Sequence, residues 1–220
     1  MAKLVVFGAG DIARLAHFYF THDSPHEVVA FCVDEEYRTT SEFLGLPVVR
    51  FSDLSDQYPP AHYHLFIALS YKQVNKVRAA KYAEAKARGY HCPSYISSRA
   101  TMLTQYPVGE NCLILEDNTI QPFVRIGHNV TLWSGNHIGH DATIEDHCFI
   151  SSHVVVSGHC TVGAYSFIGV NATLHNAVHV AERCVIGAGA VIMKDTVSKG
   201  VYLAKHGAML FAKNSDEVEL

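Results

Sequence analysis

In Gly139-His140-Asp141 an imidazole is followed directly by a carboxylate. Imidazole titrates near neutral pH, and a carboxylate partner orients it and raises its basicity, which is what a general base needs. The chain has fifteen histidines, so one histidine alone carries little information. Eight lie between residues 93 and 195: His128, His137, His140, His147, His153, His159, His175 and His179. Of these, His140 is the one followed by an acid. The pairs 137/140 and 175/179 do not make a zinc triad, and no CxxC occurs, so no metal site is expected.

A second motif stands near the start. Gly8-Ala9-Gly10-Asp11-Ile12-Ala13 fits the fingerprint G-x-G-x-x-A, in which glycines let the backbone approach a phosphate at a helix N-terminus. Asp34 ends the second expected strand, where a ribose-binding acid belongs.

The elements that position these groups follow from periodicity. From Ile96 to Ile192, every sixth residue is aliphatic or Met, for seventeen positions without a slip. With such residues filling about a third of positions, chance gives this run on the order of once in a hundred million. A period of six is neither helix nor simple strand; it is that of a hexapeptide β-helix. Three hexads close one triangular coil of 18 residues. The positions two before the register are mostly small, among them Cys112, Cys148, Cys160 and Cys184. These are expected inside, unpaired, because strand spacing puts cysteines two coils apart at about 9.6 Å, too far for a disulfide. None of the eight coil histidines holds an inward position. His140 falls at a corner, where strand alternation breaks and Asp141 can face the same cleft. His159, one coil later, is expected to stack next to Asp141. Asn118 and Asn136 fall one coil apart at inward positions, as a buried amide ladder would.

The first 92 residues read as strand (Lys3 to Phe7), glycine turn, helix to about Phe20, strand (Val28 to Asp34), strand (Leu65 to Leu69) and helix (Val74 to Ala87). This is a small Rossmann-like α/β domain. Three strands are too few for both mononucleotide halves, which weighs against NAD. The expected organisation is residues 1–92, a nucleotide-binding domain; 93–195, the β-helix; and 196–220, a C-terminal tail.

Composition sets outer limits. The net charge of −4, with no basic tract, argues against nucleic acid or an anionic membrane as main partner. The apolar run before Gly8 is too short for a signal peptide, and no stretch is long enough to span a membrane, so the expected location is cytoplasmic.

Taken together, the small Rossmann-like domain, the hexad run and Gly139-His140-Asp141 resemble the sialic-acid O-acetyltransferase type of sugar acyltransferase. That group includes enzymes that N-acetylate nucleotide-linked amino sugars. The resemblance implies a left-handed β-helix, acetyl-CoA as acyl donor, a homotrimer with active sites between subunits, His140 as general base and Asp141 as its orienter. It places the donor along later coils, at Gly158, Gly169, Val170, Gly187 and Ala188, with Lys205 or Lys199 near the nucleotide phosphates. It places a nucleotide sugar in the N-terminal domain, with Gly8, Ala9 and Gly10 near the phosphates, Asp34 or Glu35 near the nucleoside, and Ser70 at the third strand's end. Some N-acetyltransferases of the group carry Asn seven residues before the base. Here that position is Trp133, expected outward in the acceptor cleft or at a subunit contact. N-acetylation of a nucleotide-linked amino sugar is the leading expectation. O-acetylation of a sugar or sialic acid, and a non-catalytic trimeric scaffold, are the alternatives.

Overall fold

The structure, a computed structural model, describes residues 3–204. Lys205 lies outside them.

The N-terminal domain is a three-layer α/β unit. Its strands are β1 (Lys3–Phe7), β2 (Glu27–Val33), β3 (Glu42–Phe43), β4 (Leu46–Arg50) and β5 (Tyr63–Ile67), in the order β3-β4-β2-β1-β5. All pairs are parallel except β3–β4, a hairpin whose turn residues Leu44 and Gly45 both have positive φ, 52° and 79°. Alternation along β1 divides the core: Leu4 and Val6 pack against α1 (Asp11–His22), Val5 and Phe7 against α2 (Leu54–Gln57) and α3 (Lys76–Ala87). The sheet therefore has five strands, not the three expected. The missed strands are a two-residue stub and a short run containing Pro47, neither of which shows alternation. Five strands still fall short of the six of a full dinucleotide fold. Helix α3 starts at Lys76, not Val74, because Gln73, Val74 and Asn75 all have φ between 52° and 64°.

From Tyr95 the chain winds into a left-handed parallel β-helix. Strands eighteen residues apart pair in register, as Leu132 does with Ile114 and Ile150. The three faces carry seven, six and four strands. Every register residue from Ile114 to Ile192 is at most 6 % exposed. The first three depart from this pattern: Ile96 is 36 % exposed and Met102 and Val108 are half-buried, because no coil lies beneath them. Residues 103–112 form no strand, so the third face starts at Arg125–Ile126. At the other end Val201–Tyr202 adds a strand against Val185–Ile186, so the coil runs on beyond residue 195.

Sharp corners separate the strands. From Ile114 to Ile192 the residue three before each register position has positive φ, mostly near +60°, including Asn129, Asp141, His147, His153, His159 and Asn171. Asn, Asp and His tolerate this left-handed region better than most side chains. All six cysteines are buried and unpaired. Asn118 and Asn136 are buried too, but each donates to the carbonyl of Trp133 instead of to its neighbour.

The N-terminal domain sits on the seven-stranded face. Tyr71 packs on Phe149 and Phe167, with ring centroids 5.0 and 4.7 Å away. Arg78, 1 % exposed, donates to the carbonyls of Asn129, His147 and Cys148 at 2.9–3.2 Å. Asn75, fully buried, donates to those of Tyr165 and Ser166. The open edge of β5 is closed by Asn111, whose amide side chain pairs with both backbone groups of Ile67. At the C-terminus of α1, Asp23 accepts from Tyr95 Oη (2.7 Å) and the Ser98 amide (2.9 Å).

Candidate active site

The corner that carries His140 joins the strand His137–Ile138 to Thr143–Ile144. Asp141 has φ 58°, and this left-handed residue turns two neighbouring side chains to the same side. His140 Nδ1 lies 2.9 Å from Asp141 Oδ2. That contact fixes the tautomer with the proton on Nδ1 and leaves Nε2 with its lone pair. Both side chains are about half exposed, so solvent and a substrate can reach them. The His140 backbone amide is held by Gln121 Oε1 at 2.8 Å, a contact from the coil before that sequence spacing did not suggest. His159 stacks edge-to-face on the His140 ring at 4.9 Å, and its amide donates to the His140 carbonyl. Gly158 lies against the imidazole: a methyl there would fall 2.7 Å from His140 Nε2. All eight coil histidines lie outside the core, as their register requires.

A second concavity, of about 400 Å³, opens in the N-terminal domain. Gly8, Ala9, Gly10, Asp34 and Ser70 line it together, although they follow three separate strands, β1, β2 and β5. Gly8 is required there, with φ 122° and a virtual Cβ 2.9 Å from the Ala68 carbonyl oxygen. Asp34 is ion-paired to Lys81 Nζ at 2.7 Å. Burial works against the Lys81 charge, but the hydrogen bonds it donates to Asp34 and Glu84 outweigh it and hold its pKa above the ordinary value. Glu35 is not part of the lining; it turns away to pair with Arg50. Sequence reading missed Tyr37, Thr39, Thr40 and Phe43, which form the far wall, along with Lys72. The segment 35–43 has no apolar periodicity that would have signalled it.

These two features lie on opposite sides of one prism. The N-terminal domain covers the seven-stranded face, whereas His140 sits at the corner between the other two faces. The positions expected to hold the donor also separate. Gly158 shares the His140 corner. Gly169, Val170, Gly187 and Ala188 follow the strands Phe167–Ile168 and Val185–Ile186, and so lie on a different corner.

Trp133 departs from its expected place. It is half-buried against the core on the α1 side of its own N-terminal domain, 6.3 Å from Phe149 by ring centroid. The reason is topological: its strand belongs to the face that the domain covers.

Residues 124–158 match the family model of the bacterial transferase hexapeptide (six repeats). No curated protein matches the chain in sequence. Several solved structures share the fold along nearly its whole length. The acetyltransferase domain of PglB from Neisseria gonorrhoeae, in complex with acetyl coenzyme A, superposes with TM-score 0.79 at 22% identity, covering 94% of this chain and 98% of that one. A mutant of perosamine N-acetyltransferase from Caulobacter crescentus, in complex with CoA and GDP-perosamine, gives 0.81 at 20% identity, with coverage of 93% and 94%. WeeI from Acinetobacter baumannii gives 0.65 at 18% identity, with coverage of 87% and 96%. These likenesses establish the fold: an α/β domain followed by a hexapeptide β-helix.

Proposed function

We propose that this chain is an acetyl-CoA-dependent acetyltransferase that N-acetylates a nucleotide-linked amino sugar in the cytoplasm. The observation that carries the reading is His140, tied to Asp141 through Nδ1, with Nε2 unoccupied at an exposed corner. Two structural relatives are described with CoA or acetyl-CoA bound, and one of them also with a nucleotide-linked amino sugar, GDP-perosamine.

The sugar amine attacks the thioester carbonyl directly, so a C–N bond forms and, on collapse, the C–S bond breaks. His140 Nε2 takes the ammonium proton and can return it to the departing thiolate. Asp141 stabilises the imidazolium formed in between. Backbone N–H groups of the corners are available for the oxyanion. No acyl-enzyme is needed, and none of the six cysteines is accessible to form one. The cavity bounded by Gly8–Gly10, Asp34 and Ser70 takes the nucleotide, its phosphates near the free N–H groups at the start of α1.

One chain does not bring the nucleotide cavity to its own His140, which supports a homotrimer in which the cavity of one subunit serves the His140 of the next. Gly169, Val170, Gly187 and Ala188 of one subunit would then meet the donor at that shared boundary.

The test is release of CoA thiol on adding nucleotide-linked amino sugars, with product mass and ester lability separating amide from ester. His140→Ala should lower turnover on the order of 10²–10⁴-fold. Retention of more than about a tenth of the activity would exclude His140 as the base. Mixing His140→Ala with a variant disabled in the nucleotide cavity should restore part of the activity if sites are shared between subunits. A monomer by light scattering would sink the shared site, and no thiol release with any sugar would favour a scaffold.

A further inference from the structure

His140, Asp141 and His159 each direct one nitrogen or oxygen to within 4.8 Å of the other two. All three side chains are exposed, but the backbone beneath them is fixed. Asp141 and His159 occupy left-handed corners with φ of 58° and 59°, and the His159 amide donates to the His140 carbonyl at 2.9 Å. Among the described residues no other trio of potential ligands converges in this way. The second row of histidines, His26, His64 and His91, runs in a line with centroids 6.0 and 4.8 Å apart and does not meet at that distance.

We propose that His140, Asp141 and His159 form a binding site for a divalent transition-metal cation of the Zn²⁺ class, and that its occupancy switches the enzyme off. The regulatory half of this proposal rests on the reading of His140 as base. Two imidazoles and one carboxylate are a donor set that suits Zn²⁺, Ni²⁺ or Cu²⁺, with solvent completing the shell; Mg²⁺ and Ca²⁺ prefer oxygen. Ligands with bonds of about 2.0–2.2 Å lie roughly 3.5 Å from one another in a tetrahedral site, so closure needs shifts of about 1 Å at exposed side chains.

Inhibition follows from imidazole chemistry. A neutral imidazole has one lone pair on nitrogen. A cation on Nδ1 of His140 leaves the proton on Nε2, and a cation on Nε2 occupies the acceptor itself. Either way no nitrogen remains to take the proton from an amine. No thiolate takes part, so binding is reversible and weakens on acidification, as protons compete for the same nitrogens.

The experiment uses the tag-free full chain, titrated with Zn²⁺ by calorimetry and with Co²⁺ by visible absorption. One equivalent per chain should bind. His159→Phe, which keeps a ring at that position and removes the ligand, should weaken affinity about tenfold or more. CoA-releasing activity should fall over the same Zn²⁺ range and return with EDTA. Absence of binding, equal binding by His159→Phe, or bound cation without loss of activity would each overturn the proposal. Full metal-free activity of His140→Ala would remove the base assignment, and with it the inhibition, while the Co²⁺ spectrum would still report on the site itself.

Discussion

The imidazole of His140 occupies the space that a side chain at residue 158 would need. A methyl on Gly158 would lie 2.7 Å from Nε2 and 2.9 Å from Cε1, closer than real contacts allow. Gly158 has no positive φ, so alanine suits its backbone. The ring, not the coil, must give way. Gly158→Ala should therefore fold normally and lose activity on the order of 10²-fold, because a displacement near 1 Å suffices for that. Steady-state rates alongside a thermal unfolding curve check both halves. Full activity in this variant would mean that the ring is not held where the structure has it.

Arg78 is the charged group on which the two domains meet. Its guanidinium is buried among carbonyls, and burial pulls its pKa down to about 10, so it remains charged at neutral pH. Cys148 O also accepts from the Thr131 amide. Arg78→Met should cost about 3 kcal/mol: each of three hydrogen bonds to a charged donor contributes about 1.5–3 kcal/mol, and losing the burial cost of the charge offsets part of their sum. That corresponds to a fall in melting temperature of roughly 6–12 °C for a chain of this size. Arg78→Lys should recover only part of this: the three carbonyls all accept from the single nitrogen Nη2, but the lysine stem is shorter and lacks the rigid planar fork that seats that nitrogen.

Asp23 links stability to pH. Hydrogen bonds from the Ser98 backbone amide first, then from the Ser98 and Tyr95 side chains, bring its pKa down to about 2. A depressed carboxylate contributes stability that is fully present above its unfolded value and is lost as pH falls through the folded one. The melting temperature should accordingly drop between about pH 4 and pH 2. Asp23→Asn should start lower at neutral pH and show a shallower drop across that window. Identical slopes would exclude Asp23 as a contributor.

The cysteines should be silent in the native protein. All six are buried, and burial raises the thiols of Cys32, Cys92, Cys112, Cys148 and Cys160, to about 11 for Cys112 and about 12 for Cys148. A disulfide reagent should find no fast-reacting thiol before denaturation and six after it. The same reagent can then read CoA release without background. A prompt thiol in the folded protein would contradict the inward register of these columns.

How far the sequence foretold the structure depends on the range of the forces involved. The β-helix was legible because each hexad repeats one local rule, inward aliphatic then left-handed corner, and the rule predicted Ile114 to Ile192 as buried. It failed at Ile96, where burial depends on a coil that is absent. The contact between His140 and Asp141 was legible from adjacency alone, and the place of Asp34 beside Gly8–Gly10 from its spacing after the glycine turn. Arg78 and Asn75 were not: in a helix of mixed polarity an arginine reads as solvated, and only the carbonyls of another domain reveal otherwise. Trp133 failed for the same reason. Its register said outward, but outward on that face means beneath α1.

The eighteen-residue coil has a consequence for how such a chain can change length. Each hexad builds one face, so removing a single hexad upstream would rotate everything after it by a third of a turn. His140 would then move to a neighbouring corner of the prism, with the inward register of its coil preserved and its placement relative to the N-terminal domain lost. Removing three hexads would shorten the prism by one rung and leave every corner in place. The molecule is in this sense indexed like a three-position dial, and its site tolerates insertions and deletions only in whole turns.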